Sequence, residues 1–185
     1  MKDINDIREI EDIQQLDNEY DLQKALLLDR KLRILVKENT GLKPIHDKLF
    51  QLIQDYEERN WTDSESIKEK QFDEAETAEQ LVEIEQKFIS QRKDTIRKKL
   101  KSYDMNQTEL AVLLCHKKSY MSELINGVTQ FSMKDLVIIH RVLNIDLAKL
   151  IPTYLQSETK ERIKESITQL NKPKLRLRKK HLKLS

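Results

Sequence analysis

The chain of 185 residues is 36% charged and has only two glycines, three prolines and one cysteine, Cys115. So few turn-forming residues exclude a sheet-rich fold, and abundant Leu, Glu, Lys and Gln predict an all-α protein. A single cysteine excludes an intramolecular disulfide framework and a multi-cysteine zinc site. No run approaches the ~18 apolar residues of a membrane span, and the acidic start MKDINDIREIED lacks a signal-peptide core, which predicts a cytoplasmic protein with no membrane contact.

The two halves of the chain have opposite charge. Residues 1–89 carry 13 Lys and Arg against 23 Asp and Glu, residues 90–185 carry 21 against 9, and the net charge is +2. A basic half is the electrostatic footprint of a nucleic-acid binder. An acidic half is repelled by DNA and is better suited to a basic protein partner.

Residues 1–61 are predicted to form an acidic N-terminal helical unit. The apolar spacing over 1–40 indicates a helix, first in isoleucines three residues apart and then in a leucine-rich stripe. Gly41 stands where a helix C-cap is expected, and Pro44 follows it. A second helix is predicted for 44–58, with these side chains directed inward: Ile45, Leu49, Leu52, Ile53 and Tyr56.

Residues 62–90 are predicted to be a helical connector. Thr62, Asp63 or Ser64 can cap a new helix. The polar window 64–80 fits either an exposed helix or a partly mobile connector. After it an apolar face resumes and continues into the basic stretch RKDTIRKKLK at 92–101.

The main feature of the second half is a pair of short helices joined by a tight turn. Asn106 can cap the first helix, Gln107–Leu114, with Glu109 as the other member of a capping box. The second helix, Lys118–Ile125, is followed by Asn126-Gly127, which supplies a left-handed cap.

Two further helices are predicted after this pair. Ser132 can cap a helix Met133–Leu143, and Asp146 can cap another helix that Pro152 ends. Together with the basic helix before Asn106 they make a five-helix domain at 91–152.

These residues resemble the Cro/lambda-repressor type of helix-turn-helix (XRE) family. The family pattern appears as MNQTELA at 105–111, SYMS at 119–122, LING at 124–127 and LNI at 143–145. Two positions depart from it: Cys115 stands where the family usually has glycine, and Ile125 where many members have glutamate. The resemblance implies sequence-specific binding of double-stranded DNA, with the second helix of the pair in the major groove.

The resemblance also implies roles for individual side chains. Gln107 is placed to bind a phosphate, while Lys117 and the Asn126 region flank the groove. Tyr120 packs on the sugar-phosphate backbone or a thymine methyl. Lysine can read guanine and glutamate can accept from cytosine, each with ~1–3 kcal/mol of discrimination. The side chains directed at base edges are Lys118, Ser119, Ser122 and Glu123. Further phosphate candidates are Arg92, Lys93, Arg97, Lys98 and Lys101.

The order of the two halves resembles that of HigA-type antitoxins. In the C-terminal half the resemblance lies in SYMSEL at 119–124 and NG at 126–127. In the N-terminal half it is looser and lies in these residues: NEY at 18–20, AL at 25–26, Leu49, LI at 52–53 and YE at 56–57. It implies a homodimer on a palindromic operator that represses its own operon and neutralises a basic, HigB-like mRNA-cleaving toxin. The turn before Ser119 is one residue longer than in that family, and 62–90 looks like an insertion. The alternative is a plain transcriptional regulator with a helical dimerisation domain and no toxin.

No catalytic, metal or cofactor site is predicted. Cys115 and His116 are adjacent in the turn and do not align as a nucleophile pair. The other histidines lack metal-ligand spacing, and there is no glycine-rich phosphate loop. We therefore expect a protein that is not an enzyme.

The chain ends in a predicted helix at 153–170 and a basic tail at 171–185, NKPKLRLRKKHLKLS. Ile163, Ile167 and Leu170 share one face of that helix. The tail fits a basic arm for DNA, an edge strand that pairs with a partner, or a disordered solubilising segment.

Overall fold

The structure is a computed structural model that describes residues 6–62, 69–153, 155, 157–172 and 174–175. Within these ranges all regular structure is helical, as the composition predicts. The α-helices are α1 (Glu19–Glu38), α2 (Lys43–Trp61), α3 (Glu69–Ser102), α4 (Gln107–Leu113), α5 (Lys118–Asn126), α6 (Met133–Leu143) and α7 (Ser157–Gln169). Short 3-10 turns are Ile10–Asp12, Thr40–Leu42 and Leu147–Lys149. No helix of the described part of the chain is long and apolar enough to span a bilayer.

The start of the chain differs from the predicted helix over 1–40. α1 begins only at Glu19, where the Asn18 side chain accepts a hydrogen bond from the backbone N–H of Asp21 at 2.9 Å. Before it, the apolar side chains of Ile7, Ile10 and Ile13 are buried around a single 3-10 turn. The helix prediction is wrong here because a spacing of three residues is also the repeat of a 3-10 turn.

The link between α1 and α2 also differs from the prediction. Asn39 ends α1, and Gly41 lies inside the 3-10 turn Thr40–Leu42 instead of capping the helix. The side chain of Asn39 accepts from the Gly41 N–H at 3.2 Å and so holds the turn. α2 then follows as predicted, with Pro44 in its first turn, where a missing N–H is tolerated.

The N-terminal unit, residues 6–62, has its own apolar core between α1 and α2. Buried Glu19 lies at one end of this core. Its carboxylate accepts hydrogen bonds from the Tyr56 hydroxyl at 3.0 Å and from the Trp61 ring N–H at 2.9 Å. Burial and the hydrogen bond to Glu19 raise the pKa of the Tyr56 hydroxyl. The core side chains contributed by α1 and α2 include Leu22, Ala25, Leu28, Leu32, Leu35, Leu49, Leu52 and Ile53.

α3 is one continuous helix, so the predicted boundary between 62–90 and 91–152 falls inside it. Its first half packs against α1, where Lys24 lies 3.4 Å from Glu85. Its second half supplies Ile96 and Leu100 to a second core shared with α4, α5 and α6. The cap candidates Asp63 and Ser64 lie outside the described residues.

The last predicted helix of the second core is a single 3-10 turn, Leu147–Lys149. Asp146 caps it as predicted, by accepting from the Ala148 N–H at 3.0 Å. α7 lies within the predicted helix at 153–170, with Ile163 and Ile167 half-buried. In the basic tail, positions 173 and 176–185 fall outside the described residues.

The N-terminal unit is joined directly to the loop that follows α5. The Ile7 N–H donates to the Val128 carbonyl at 3.0 Å, and the Val128 side chain is part of the N-terminal core. The Thr129 hydroxyl donates to Asp6 at 3.3 Å. The two halves of the chain therefore share an interface next to α5.

Candidate nucleic-acid interface

α4 begins where the capping box predicts. Asn106 accepts from the backbone N–H groups of Thr108 at 2.8 Å and Glu109 at 3.1 Å, and Glu109 accepts from the Asn106 N–H at 2.7 Å. These bonds satisfy N–H groups that have no partner inside the helix. They also fix the position of Gln107, the half-buried first residue of α4.

The turn after α4 contains a residue with a left-handed backbone conformation. Cys115 is exposed and has a φ of 58°, and the His116 N–H donates to the Ala111 carbonyl at 2.8 Å. Glycine is the residue that adopts this conformation without strain, which explains the family preference at this position. Lys117 then stands at the N-cap of α5.

α5 is held on one face by the core and at its end by Gly127. Met121, Leu124 and Ile125 are buried, and Gly127 has the left-handed φ of 66°. α6 packs next, started by a capping box in which Ser132 accepts from the Asp135 N–H at 3.1 Å and Asp135 accepts from the Ser132 N–H at 3.1 Å.

Two short helices joined by a tight turn, with the second fixed by a further capped helix, are the arrangement that presents one helix to a DNA groove. A comparison with protein families identifies the same part of the chain, since residues 96–150 match the helix-turn-helix family. These residues form a helix-turn-helix domain. Such domains bind DNA in transcription regulators, and α5 occupies the position of the recognition helix. Neither the curated proteins nor the solved structures contain a match to the chain.

Three of the four side chains predicted to read bases are accessible on α5. Lys118 and Ser119 are exposed, and Ser122 is half-buried. The Ser122 carbonyl accepts from the Asn126 side-chain amide at 2.8 Å, which ties the last turn of the helix together. The N-terminal half of the recognition helix is therefore open for contact.

Glu123, the fourth predicted reader, does not face solvent. It is only 8% exposed, and its carboxylate accepts from the side-chain amide of Asn39 at 3.5 Å. Burial raises the pKa of Glu123, while Arg8 and the bond from Asn39 act in the opposite direction. The outward orientation predicted for Glu123 is wrong in this arrangement, because the N-terminal unit covers this part of α5.

Tyr120 is held from both sides. Its ring lies edge-on to the His116 ring, with centroids 4.9 Å apart, and the Arg8 guanidinium carbon lies 4.3 Å from its centroid. His116 in turn lies 3.0 Å from a carboxylate oxygen of Asp135. The turn histidine thus packs between Tyr120 and Asp135.

The basic side chains of α3 separate into two groups. Lys93 donates to the Asn126 side chain at 2.7 Å and is half-buried, and burial together with the nearby Arg97 lowers its pKa. Arg92 faces the other way, with its guanidinium 5.2 Å from the Phe131 ring centroid. Arg92 therefore packs inside the domain, while Lys93 and Arg97 lie on the side of the recognition helix. Lys98 and Lys101 are exposed. They do not line the cleft between α5 and the N-terminal unit.

A cleft of about 940 Å³ separates the recognition helix from the N-terminal unit. Its floor is the part of α3 that carries Lys93 and Arg97. The helix-turn-helix wall includes Gln107, Lys118, Ser119, Ser122, Glu123 and Asn126, and the opposite wall, from α1 and the turn after it, includes Lys31, Ile34, Glu38 and Asn39. The structure therefore brings most of the predicted DNA contacts to one cleft.

Lys31 is a member of this cleft that the sequence did not indicate. Burial, together with the like charges of Lys93 and Arg92, lowers the pKa of Lys31 to about 8, against the opposing effect of Glu85. No local pattern marks Lys31, because its neighbours in space come from α3, which lies far away in the sequence. The same holds for Arg8 and Asn39, which reach α5 only through the tertiary fold.

Proposed function

We propose that the chain is a sequence-specific transcriptional repressor that reads a palindromic operator with α5. The observation that carries the proposal is the exposed N-terminal half of a capped recognition helix, with Lys118 and Ser119 outward. Lys93 and Arg97 add positive charge beside it, in the half of the chain that is basic overall. Phosphate contacts from such cations supply affinity, and side chains on α5 supply sequence preference.

The test uses a duplex that the full chain selects from a random-sequence pool. We expect the double variant Lys118→Ala, Ser122→Ala to lose about tenfold or more in affinity for that duplex and to lose its sequence preference. Lys43→Ala, which removes an exposed lysine at the start of α2, is the matched control and should bind as wild type does. An unchanged preference in the double variant would remove α5 from the reading role.

We further propose that the protein acts as a homodimer. Helix-turn-helix readers reach two half-sites of a palindrome, about one helical turn apart, when two copies bind together. Sedimentation of the chain with the selected duplex should give two chains per duplex. A single chain per duplex, with a selected site that lacks two-fold symmetry, would contradict the dimer.

The finer proposal is that this repressor is an antitoxin, with a basic mRNA-cleaving toxin as its partner. The acidic N-terminal unit offers a docking site, an open cavity of about 610 Å³ lined by Glu19, Glu57, Glu58 and Trp61. One carboxylate oxygen of Glu19 is buried and has no hydrogen-bond partner among the described residues. Opposite potentials at such a site accelerate association with a basic protein and fix its orientation.

Co-purification with the product of the adjacent reading frame tests the antitoxin role. We expect a small basic protein that is toxic alone and that wild-type chain neutralises. Glu57→Lys with Glu58→Lys should abolish capture, whereas Asp47→Lys, an exposed charge reversal elsewhere on α2, should not. If no such partner exists, the plain regulator with a helical dimerisation unit replaces the antitoxin.

A further inference from the structure

We propose that the N-terminal unit masks the side of the recognition helix that carries Tyr120 and Glu123, so that DNA binds only after this unit moves away. The inference rests on the proposed role of α5 in reading DNA. It adds a closed state in which the chain blocks its own reading surface.

The masking contacts come from two separate parts of the N-terminal unit. At the first, the segment around Arg8 lies over Tyr120 and is fixed to the loop after α5 by the bond from the Ile7 N–H to the Val128 carbonyl. At the second, Asn39 at the end of α1 contacts Glu123. Tyr120 and Glu123 are three residues apart on a helix, so both contacts cover the same side of α5.

This cover is incompatible with a helix seated in a major groove. The groove is about 12 Å wide and 8.5 Å deep, and an α-helix with its side chains already measures about 10–12 Å across. A second element packed on the groove-facing side of the helix leaves no room for the bases. Lys118 and Ser119 themselves are exposed, and they line a cleft of about 940 Å³ whose opposite wall is formed by the N-terminal unit.

The negative charge of the N-terminal unit also opposes DNA binding in the closed state. The cover belongs to the acidic half of the chain, and it brings Asp6 and Glu38 to the neighbourhood of α5. Glu38 lines the same cleft as Lys93 and Arg97, so a phosphate that enters this cleft meets a carboxylate as well as the two cations. DNA and the N-terminal unit therefore compete for one surface, and anything that holds the unit closed weakens DNA binding.

A reversible disulfide that holds the N-terminal unit against the loop after α5 tests the proposal on the full chain. The Thr129 hydroxyl and the Asp6 carboxylate lie 3.3 Å apart across the interface. Asp6→Cys with Thr129→Cys places two thiols at this contact, and loss of free thiol on oxidation verifies the disulfide before binding is measured. The background is Cys115→Ser, because Cys115 is exposed and free. We expect the oxidised protein to bind the selected duplex at least about tenfold more weakly than the same protein after reduction. The two single-cysteine variants under the same oxidation should show no change.

A variant that weakens the closed state provides an independent measurement that does not need the disulfide. Arg8→Ala removes the cation over Tyr120 and should tighten DNA binding about threefold to tenfold, since the apparent dissociation constant falls as the open fraction grows. Arg33→Ala removes the same charge from α1, where Arg33 pairs with Asp29 away from α5, and is the control. Weaker binding by Arg8→Ala would mean that Arg8 itself contacts DNA, and would overturn the masking role.

The outcomes separate the two proposals. Equal affinity of the oxidised and reduced proteins overturns the mask and leaves the DNA-binding function standing. No binding by the reduced protein, the wild type or Arg8→Ala to any duplex overturns the function itself. Weak binding when locked, with recovery on reduction, supports both.

Discussion

Gly127 at the end of the recognition helix lies against Ile89 of α3, so closely that a β-carbon on the glycine would be 2.6 Å from Cγ2 of Ile89. The same glycine has a φ of 66°, in the left-handed region. One residue thus ends α5 and allows the helix-turn-helix domain to pack on the long helix that connects both halves of the chain.

Gly127→Ala should destabilise the protein by about 2–4 kcal/mol, from left-handed strain and from overlap with Ile89. Chemical denaturation monitored by circular dichroism measures this. Gly41→Ala is the matched control, because its added carbon meets only a side-chain oxygen of Asn39 at 3.2 Å and φ is not positive. In an Ile89→Ala background the cost of Gly127→Ala should fall; an undiminished cost would show that contact with Ile89 is not its source.

Cys115→Gly should stabilise the protein by about 1 kcal/mol, because glycine relieves the left-handed strain and loses part of that gain to chain entropy. The other non-glycine residues with positive φ are Asp104, Asn144 and Asn171 in the described part of the chain, and these types tolerate the conformation better. Thermal unfolding of Cys115→Gly and Cys115→Ser makes the comparison. If serine stabilises as much as glycine, removal of the thiol and not backbone relief is responsible.

The helix-turn-helix domain could be predicted closely from the sequence because its signals are local. The capping pairs Asn106–Glu109 and Ser132–Asp135 each lie within four residues, and the structure forms both. Gly127 likewise acts through its own backbone conformation. Where a signal admits two readings, prediction fails: the isoleucines at 7, 10 and 13 have a spacing of three residues and surround a 3-10 turn, not an α-helix.

The environment of the candidate site could not be predicted in this way. Glu123 is polar and falls on the outer face of a short amphipathic helix, which predicts exposure. It is buried because Asn39, 84 residues away, packs against it. Arg92 lies in a run of basic residues typical of a phosphate-binding face, yet it packs over Phe131. In each case the deciding neighbour is distant in sequence.

Lys31→Met should stabilise the protein at neutral pH, because it removes a half-buried cation near the like charges of Lys93 and Arg92. Lys31 has a pKa of about 8 in the folded state against 10.5 ordinarily, so between these values the unfolded chain binds more protons. Wild-type stability therefore rises across this window, and the advantage of Lys31→Met should shrink there. Denaturant unfolding at pH 7 and pH 9.5 measures both. Lys37→Met, at an exposed position of α1, is the control, and an advantage that stays constant with pH would exclude the titration of Lys31 as its cause.

Glu123→Gln should stabilise the closed arrangement at neutral pH, because burial raises the pKa of Glu123 and penalises its charged form. The contribution of a group with a raised pKa is present below its ordinary value of 4.5 and is lost as pH rises through the folded-state value. Glutamine keeps the shape and an acceptor for Asn39, so the two proteins should unfold alike near pH 4 and diverge toward pH 7. The charged neighbours are Arg8, which favours the ionised carboxylate, and Asp6, which opposes it. In an Arg8→Ala background the gain from Glu123→Gln should therefore be larger, and a gain that is equal at pH 4 and pH 7 would rule out the carboxylate charge as its source.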